Sequence, residues 1–209
     1  TIKIMTFSLV LVLVPFVILF ISSADAIIGI IFGPSFLGAS ETLQILSVSM
    51  LIYSVFIIFQ TTLDAIGKPF LNTKIMFVIA AVNIILNIML VPLFGILGAA
   101  VASFISFTCG MILGFWEVER HVKSSIQYKK LATIFACGIA ASAAAYGFNR
   151  MFSFHIYTEI VASLFIGMLV YLALIISLRL VTREDVRFVD TLGIKIPGPM
   201  RRLTKFLLK

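Results

Sequence analysis

The sequence predicts an all-α, polytopic transmembrane bundle of six spans. Three observations carry this. Between Lys74 and Glu117 lie 42 consecutive residues without one Asp, Glu, Lys or Arg. A bilayer core about 30 Å thick takes roughly 20 helical residues per crossing, so this run is two crossings. Four further uncharged stretches, 4–24, 42–63, 131–149 and 160–178, are each about one crossing long. Finally, 61% of the residues are hydrophobic and 12% charged, against about 25% charged in an ordinary soluble domain. A soluble chain of this size could not cover so much apolar surface.

In chain order, spans A to D fall within 1–116, near 4–24, 42–64, 75–93 and 97–116. Segment 26–40 is apolar but broken by Gly29, Gly33, Pro34 and Gly38. It reads as an extended helix end plus a turn before span B. Spans C and D reverse near Pro92-Leu93-Phe94-Gly95. A basic loop follows at 117–130, then spans E (131–149) and F (160–178). Span E is the least apolar, because 140–145 reads Ala-Ala-Ser-Ala-Ala-Ala, yet charge flanks it on both sides. The remainder, 179–209, is a basic tail. Within it Thr182-Arg-Glu-Asp185 resembles a helix start and Gly193 a stop. Met200–Lys209 alternates apolar and basic faces, as a segment lying on a membrane surface does.

The net charge of +7 does not point to nucleic acid, because the basic residues sit in short loops beside apolar spans. Fifteen of the sixteen Lys and Arg fall on one side of the six-span map and only Arg150 on the other. The positive-inside rule then puts both ends of this segment in the cytoplasm, in a multi-pass protein of the cell membrane. Trp116 and Tyr128 flank one loop and Tyr146 and Tyr157 another, at the depth where aromatic belts form. Tyr53 and Tyr171 fall mid-span and do not fit a belt. Cys109 and Cys137 both lie inside spans, with no CxxC pair or disulfide framework. The first residue is Thr, which reads as a fragment or a processed product.

Catalytic patterns are missing. His121 and His155 fall on opposite sides of the map, so they cannot share a metal. There is no HExxH, no P-loop and no GxSxG. Asp25, Glu41 and Glu159 sit at outer span ends and Asp64 at an inner one, not clustered at one depth as in a membrane enzyme. The chain is therefore read as no enzyme, with no cofactor and no metal site expected; a coupling ion stays open.

Packing chemistry remains. Gly98, Ala102, Ser106, Gly110 and Gly114 recur every four residues along span D and form a small-residue face. Close helix packing is its ordinary meaning, and a sliding surface in transport the sharper one. Ala132, Ala136, Ala140 and Ala144 offer a similar face on span E. Asn83 and Asn87 stack one turn apart on span C, as Gln60 and Asp64 do at the inner end of span B. Buried amides in lipid need partners, so interhelical hydrogen bonding competes with substrate contact for all four.

Read in order, these residues carry a likeness. Ile31-Phe32-Gly33-Pro34-Ser35-Phe36 precedes Leu43-Gln44-Ile45-Leu46. Leu63-Asp64-Ala65-Ile66-Gly67-Lys68-Pro69 and Asn72-Thr73-Lys74 follow. Then come Val82-Asn83-Ile84-Ile85-Leu86-Asn87, Leu90-Val91-Pro92 and Gly95-Ile96-Leu97-Gly98-Ala99-Ala100. Over 23–116 this resembles the C-terminal half of a polysaccharide transporter of the O-antigen-flippase type, in the superfamily that also holds multidrug exporters and peptidoglycan-lipid flippases. The resemblance implies two six-helix bundles, with A–D the last four helices of the second and E–F an extra pair. It also implies an N-terminal half of the same protein upstream of this segment. The implied activity is movement of a lipid-linked oligosaccharide to the outer leaflet, with membrane lipids as surroundings. Gln60, Asp64, Asn83 and Asn87 are then pathway candidates. A cation-coupled multidrug exporter, a membrane-embedded transferase acting on lipid-linked sugars and a non-transporting scaffold are the alternatives. The extra pair favours the flippase over the exporter, and the lack of clustered acids disfavours the transferase.

Overall fold

The computed structural model describes residues 2–122, 128–151, 156–178 and 180. These residues form seven α-helices and one 3-10 turn, and no strand occurs among them. The helices are α1 (Ile2–Ser22), α2 (Ala24–Ile31), α3 (Ser40–Ala65), α4 (Pro69–Phe94), α5 (Ile96–Val122), α6 (Tyr128–Met151) and α7 (Ile156–Ser177), with the 3-10 turn at Pro34–Ala39. Six of them are long and apolar enough to cross a membrane. Each of α3, α4 and α5 runs past its expected span, since a helix need not stop where the hydrocarbon does. Thus α4 starts at Pro69, where the fixed φ of proline suits the first helical position and its missing N–H costs nothing.

Segment 26–40 departs from expectation. It is not a continuation of the first span. That helix stops at Ser22, Ser23 adopts a non-helical backbone (φ −128°), and an independent eight-residue helix follows. The Ser22 hydroxyl at the break bonds back to the carbonyl of Ile18 at 2.7 Å.

Two reversals are very short. Between α3 and α4 the chain turns through Gly67 (φ +73°), and between α4 and α5 it turns on Gly95 alone (φ +58°). Both backbone conformations exclude most side chains. These turns make α3, α4 and α5 sequential antiparallel neighbours. α5 packs against both α3 and α4, while α3 also packs against α1. On its other side α1 meets α6 and α7, which pair with each other, and α7 touches α2 as well. α1 is thus the helix shared by two groups.

The core follows these seams. Phe56, Phe59 and Leu63 of α3, Ile75 and Ile79 of α4 and Val118 of α5 are buried together. Val10, Val14 and Ile18 of α1 are buried with Ile134 and Ala141 of α6 and Tyr171 of α7. In contrast, α4 buries only Ile75 and Ile79, and most of its other apolar residues are exposed.

The five small residues of span D are all buried. A Cβ at Gly114 would lie 3.0 Å from the Phe56 ring, and one at Gly110 would run into the side chain of Ile79. At Gly98 it would strike the backbone carbonyl of Leu90, so the single-residue elbow at Gly95 needs glycine three residues later as well. The corresponding expectation for span E does not hold. Ala132, Ala136, Ala140 and Ala144 all point outward, and the face turned to α1 is Ile134, Cys137, Gly138, Ala141 and Ala145. Alanine occurs on several faces of this helix, so its spacing could not mark the packed one. Contact is made where Gly138 admits Val14.

The helix start near 182, the amphipathic stretch 200–209, His155 and the loops at 123–127 and 152–155 lie outside the described residues.

Candidate functional site

Polar groups inside the apolar bundle are few, and each is costly in hydrocarbon unless it finds a partner. Four groups of them stand out.

The first is the seam between α4 and α5. Asn87 donates to the backbone carbonyl of Asn83 at 2.8 Å and to its side-chain oxygen at 3.0 Å. Asn83 in turn donates to the Ser106 hydroxyl at 3.2 Å, and Ser106 donates to the Ala102 carbonyl. The two sequence features thus meet, because the amide pair of α4 is bonded into the small-residue face of α5. The small side chains bring the helix axes close enough for an asparagine to reach across.

The second is the end of the bundle that carries Lys68, Lys74, Arg120 and Lys130, called here the basic end. Gln60 donates to the Met76 sulfur at 2.8 Å, and Asn72 donates to both oxygens of Asp64 at 3.1 Å. This is a two-rung ladder between α3 and α4, since Gln60 and Asp64 are one turn apart and so are Asn72 and Met76. Asp64 is exposed and Gln60 is half-buried. Nothing in the ladder neutralises the carboxylate beyond one amide.

The third lies at the opposite end. Ser23 donates to the Ser163 hydroxyl at 2.6 Å, and Asn149 donates to Ser163 and to the Ser22 carbonyl, the latter at 3.3 Å. This cluster ties the α1–α2 break to α6 and α7. Sequence reading missed it. Asn149 stands beside Arg150 at a span end and looks like an ordinary interface residue. A lone serine within an apolar helix, as Ser163 is, was the available sign.

The fourth explains a misfit. Pro15 lies inside α1 and has no N–H for the carbonyl of Leu11. The Tyr171 hydroxyl of α7 donates to that carbonyl at 3.3 Å. Tyr171 sits mid-span because it supplies a donor that the proline lacks. The other mid-span tyrosine, Tyr53, stacks on Phe107 of α5 with ring centroids 4.7 Å apart.

Chemically these groups bond, orient and fasten. Among the described residues no three His, Cys, Asp or Glu converge as metal ligands would. His121 Nδ1 contacts the Glu117 carbonyl of its own helix at 2.8 Å. An apolar cleft of about 290 Å³ runs between α1 and α3, lined by residues such as Phe16, Phe20, Leu46 and Met50. Its hydroxyls, Ser47 and Ser54, both donate to their own helix backbone. The cleft therefore has the chemistry of an acyl or prenyl chain rather than of a sugar.

Comparison with known proteins identifies relatives of this chain. The family "Lipid II flippase MurJ" matches residues 1–182. The probable low-salt glycan biosynthesis flippase Agl15 of Haloferax volcanii is 31% identical over 148 residues, covering 71% of this chain and 31% of that protein. An uncharacterized membrane protein of Methanocaldococcus jannaschii is 33% identical over 137 residues, covering 66% of this chain and 27% of the relative. The probable flippase AglR of Haloferax volcanii is 31% identical over 97 residues, covering 45% and 20%. The chain thus spans less than a third of the length of the curated relatives it matches. No solved structure matches it.

Proposed function

The chain belongs to the lipid II flippase MurJ family, and from that membership we propose that it works in moving a polyprenyl-linked oligosaccharide across the cell membrane for glycan assembly. The observation that carries this is the family match along nearly the whole described bundle. Two relatives named as flippases support the same reading.

The physical task fits the parts. A sugar headgroup cannot cross hydrocarbon unaided, whereas its lipid chain can stay in the bilayer. Moving it requires a polar cavity opened alternately to each side by bundles that rock as units. The seams described above, with small residues and paired amides, make α3, α4 and α5 one such unit. No covalent change in the sugar is part of this reading. Of the four pathway candidates Asp64 is exposed, whereas Gln60, Asn83 and Asn87 are half-buried, and Gln60, Asp64 and Asn83 each bond to a neighbouring helix. Both ends of this segment are placed in the cytoplasm on the strength of the basic bias.

The test is reconstitution of the full-length protein in vesicles with a labelled lipid-linked oligosaccharide. Sodium and proton gradients are imposed in turn to find a coupling ion. The expected result is label reaching the opposite leaflet with the sugar chemically unchanged. Efflux of small drugs without lipid movement would favour the exporter, and an altered sugar would favour the transferase.

A further inference from the structure

At the basic end, the turn from α3 into α4 faces the last turns of α5 across a cleft of about 430 Å³. Lys68 and Phe70 line one wall, and Glu117, Arg120 and His121 the other. The Glu117 carboxylate shares this wall, its Oε2 3.6 Å from His121 Nδ1, and it is the one acidic group lining the cleft. Among the described residues neither Lys68 nor Arg120 has a carboxylate partner. Two unpaired cations, contributed by separate elements, therefore line the same cavity. Such a cavity attracts an anion, and a guanidinium is shaped to hold phosphate oxygens in pairs.

The surroundings fix the depth. Phe70, on the first turn of α4, is 68% exposed, and the Lys74 ammonium lies 4.7 Å from its ring centre. Trp116, one turn before Arg120 on α5, is 59% exposed. Large exposed aromatics beside basic residues at helix ends lie at the level of lipid headgroups. An anion abundant at that level is a lipid phosphate, and basic pockets between transmembrane helices are suited to hold one.

We propose that the cleft between the α3–α4 turn and the end of α5 binds the phosphate group of an anionic membrane lipid through Lys68 and Arg120. Binding there clips the turn to α5, so that α3, α4 and α5 move together at this end. Glu117 also lines the site, as a like charge to the ligand. It sets a limit on affinity and favours a singly charged phosphodiester over a doubly charged phosphate.

The test uses the full-length protein in nanodiscs of phosphatidylcholine doped with phosphatidylglycerol, with bound lipid counted by native mass spectrometry. Lys68→Gln and Arg120→Gln should each weaken phosphatidylglycerol retention about fivefold, and the double variant roughly twentyfold. Lys68→Arg and Arg120→Lys should keep most of it. Lys74→Gln should leave it unchanged, because that ammonium rests on Phe70 outside the cleft. Unchanged helicity and melting identify variants that fold. If the double variant does not insert, the single variants decide. Undiminished retention in the glutamine variants overturns the proposal. So does equal retention of phosphatidylcholine, or an equal loss in Lys74→Gln, which would mean only diffuse surface charge. Inorganic phosphate binding as tightly as the lipid would overturn the headgroup assignment.

Discussion

A tyrosine in the middle of an apolar helix needs a reason, and for Tyr171 the reason is a proline on another helix. The Leu11 carbonyl, deprived of a donor by Pro15, takes its hydrogen bond from the Tyr171 hydroxyl. Tyr171→Phe is expected to lower stability by about 1 kcal/mol. Pro15→Ala supplies a backbone N–H in its place, so the tyrosine change should cost much less in that background. A double-mutant cycle of thermal melting measures the coupling, and full additivity would show that the two residues are independent. Asn83→Leu removes the bond to Ser106 and leaves Asn87 bonded to the main-chain carbonyl of residue 83 alone. It should also cost on the order of 1 kcal/mol. Should it abolish lipid movement with melting unchanged, Asn83 belongs to the pathway rather than to the seam.

At the scale of elements, α5 and α6 make a contrast. Both carry small residues every four positions, but on α5 the stripe marked by the sequence packs, whereas on α6 a neighbouring one, Cys137, Ala141 and Ala145, does. Gly110→Leu would drive a side chain into Ile79 and is expected to cost about 1–3 kcal/mol, as overpacking does. Unchanged folded yield would mean that α4 and α5 are not in contact there. On α6 adjacent alanines should differ. Ala145→Leu enters the fully buried face toward α1 and α7 and should lower the melting temperature, whereas Ala144→Leu points outward and should be neutral. Equal effects would place the α6 seam on the wrong face. The difference arises because α5 has glycines at its crossing points, and α6 has many alanines but one glycine, Gly138, at the crossing itself.

For the whole molecule, α1 is the shared member. It joins the α3–α4–α5 group to the α6–α7 pair, and the α1–α2 break is tied to that pair through Ser23, Ser163 and Asn149. Rocking of one group against the other would bear on α1, where Pro15 already interrupts the helical ladder, and on α2, which touches both α3 and α7. The basic bias predicts the sidedness of this assembly. Cysteines introduced at Ser35 and Ser153 should react with an impermeant reagent added outside intact cells, and one at Ser124 should not. Reaction at Ser124 would invert the map.

By itself the sequence determined the membrane, the helices and the number of spans. Each follows from one-dimensional quantities: the length of uncharged runs against the thickness of a bilayer, and the placement of Pro92 and Gly95 at a reversal. The small-residue face of α5 was equally legible, because glycine at helical spacing has few other uses in a membrane. Only the tertiary structure decided which polar groups meet. It bonded the Asn83–Asn87 pair to Ser106, set Asp64 against Asn72, matched Tyr171 to Leu11 and brought Lys68 beside Arg120. It also turned the alanine stripe of α6 outward and cut α2 free of α1. In hydrocarbon no hydrophobic force ranks one apolar helix face above another, so the packed face is chosen by shape and by paired polar atoms. Those are properties of two helices together, and neither helix states them alone.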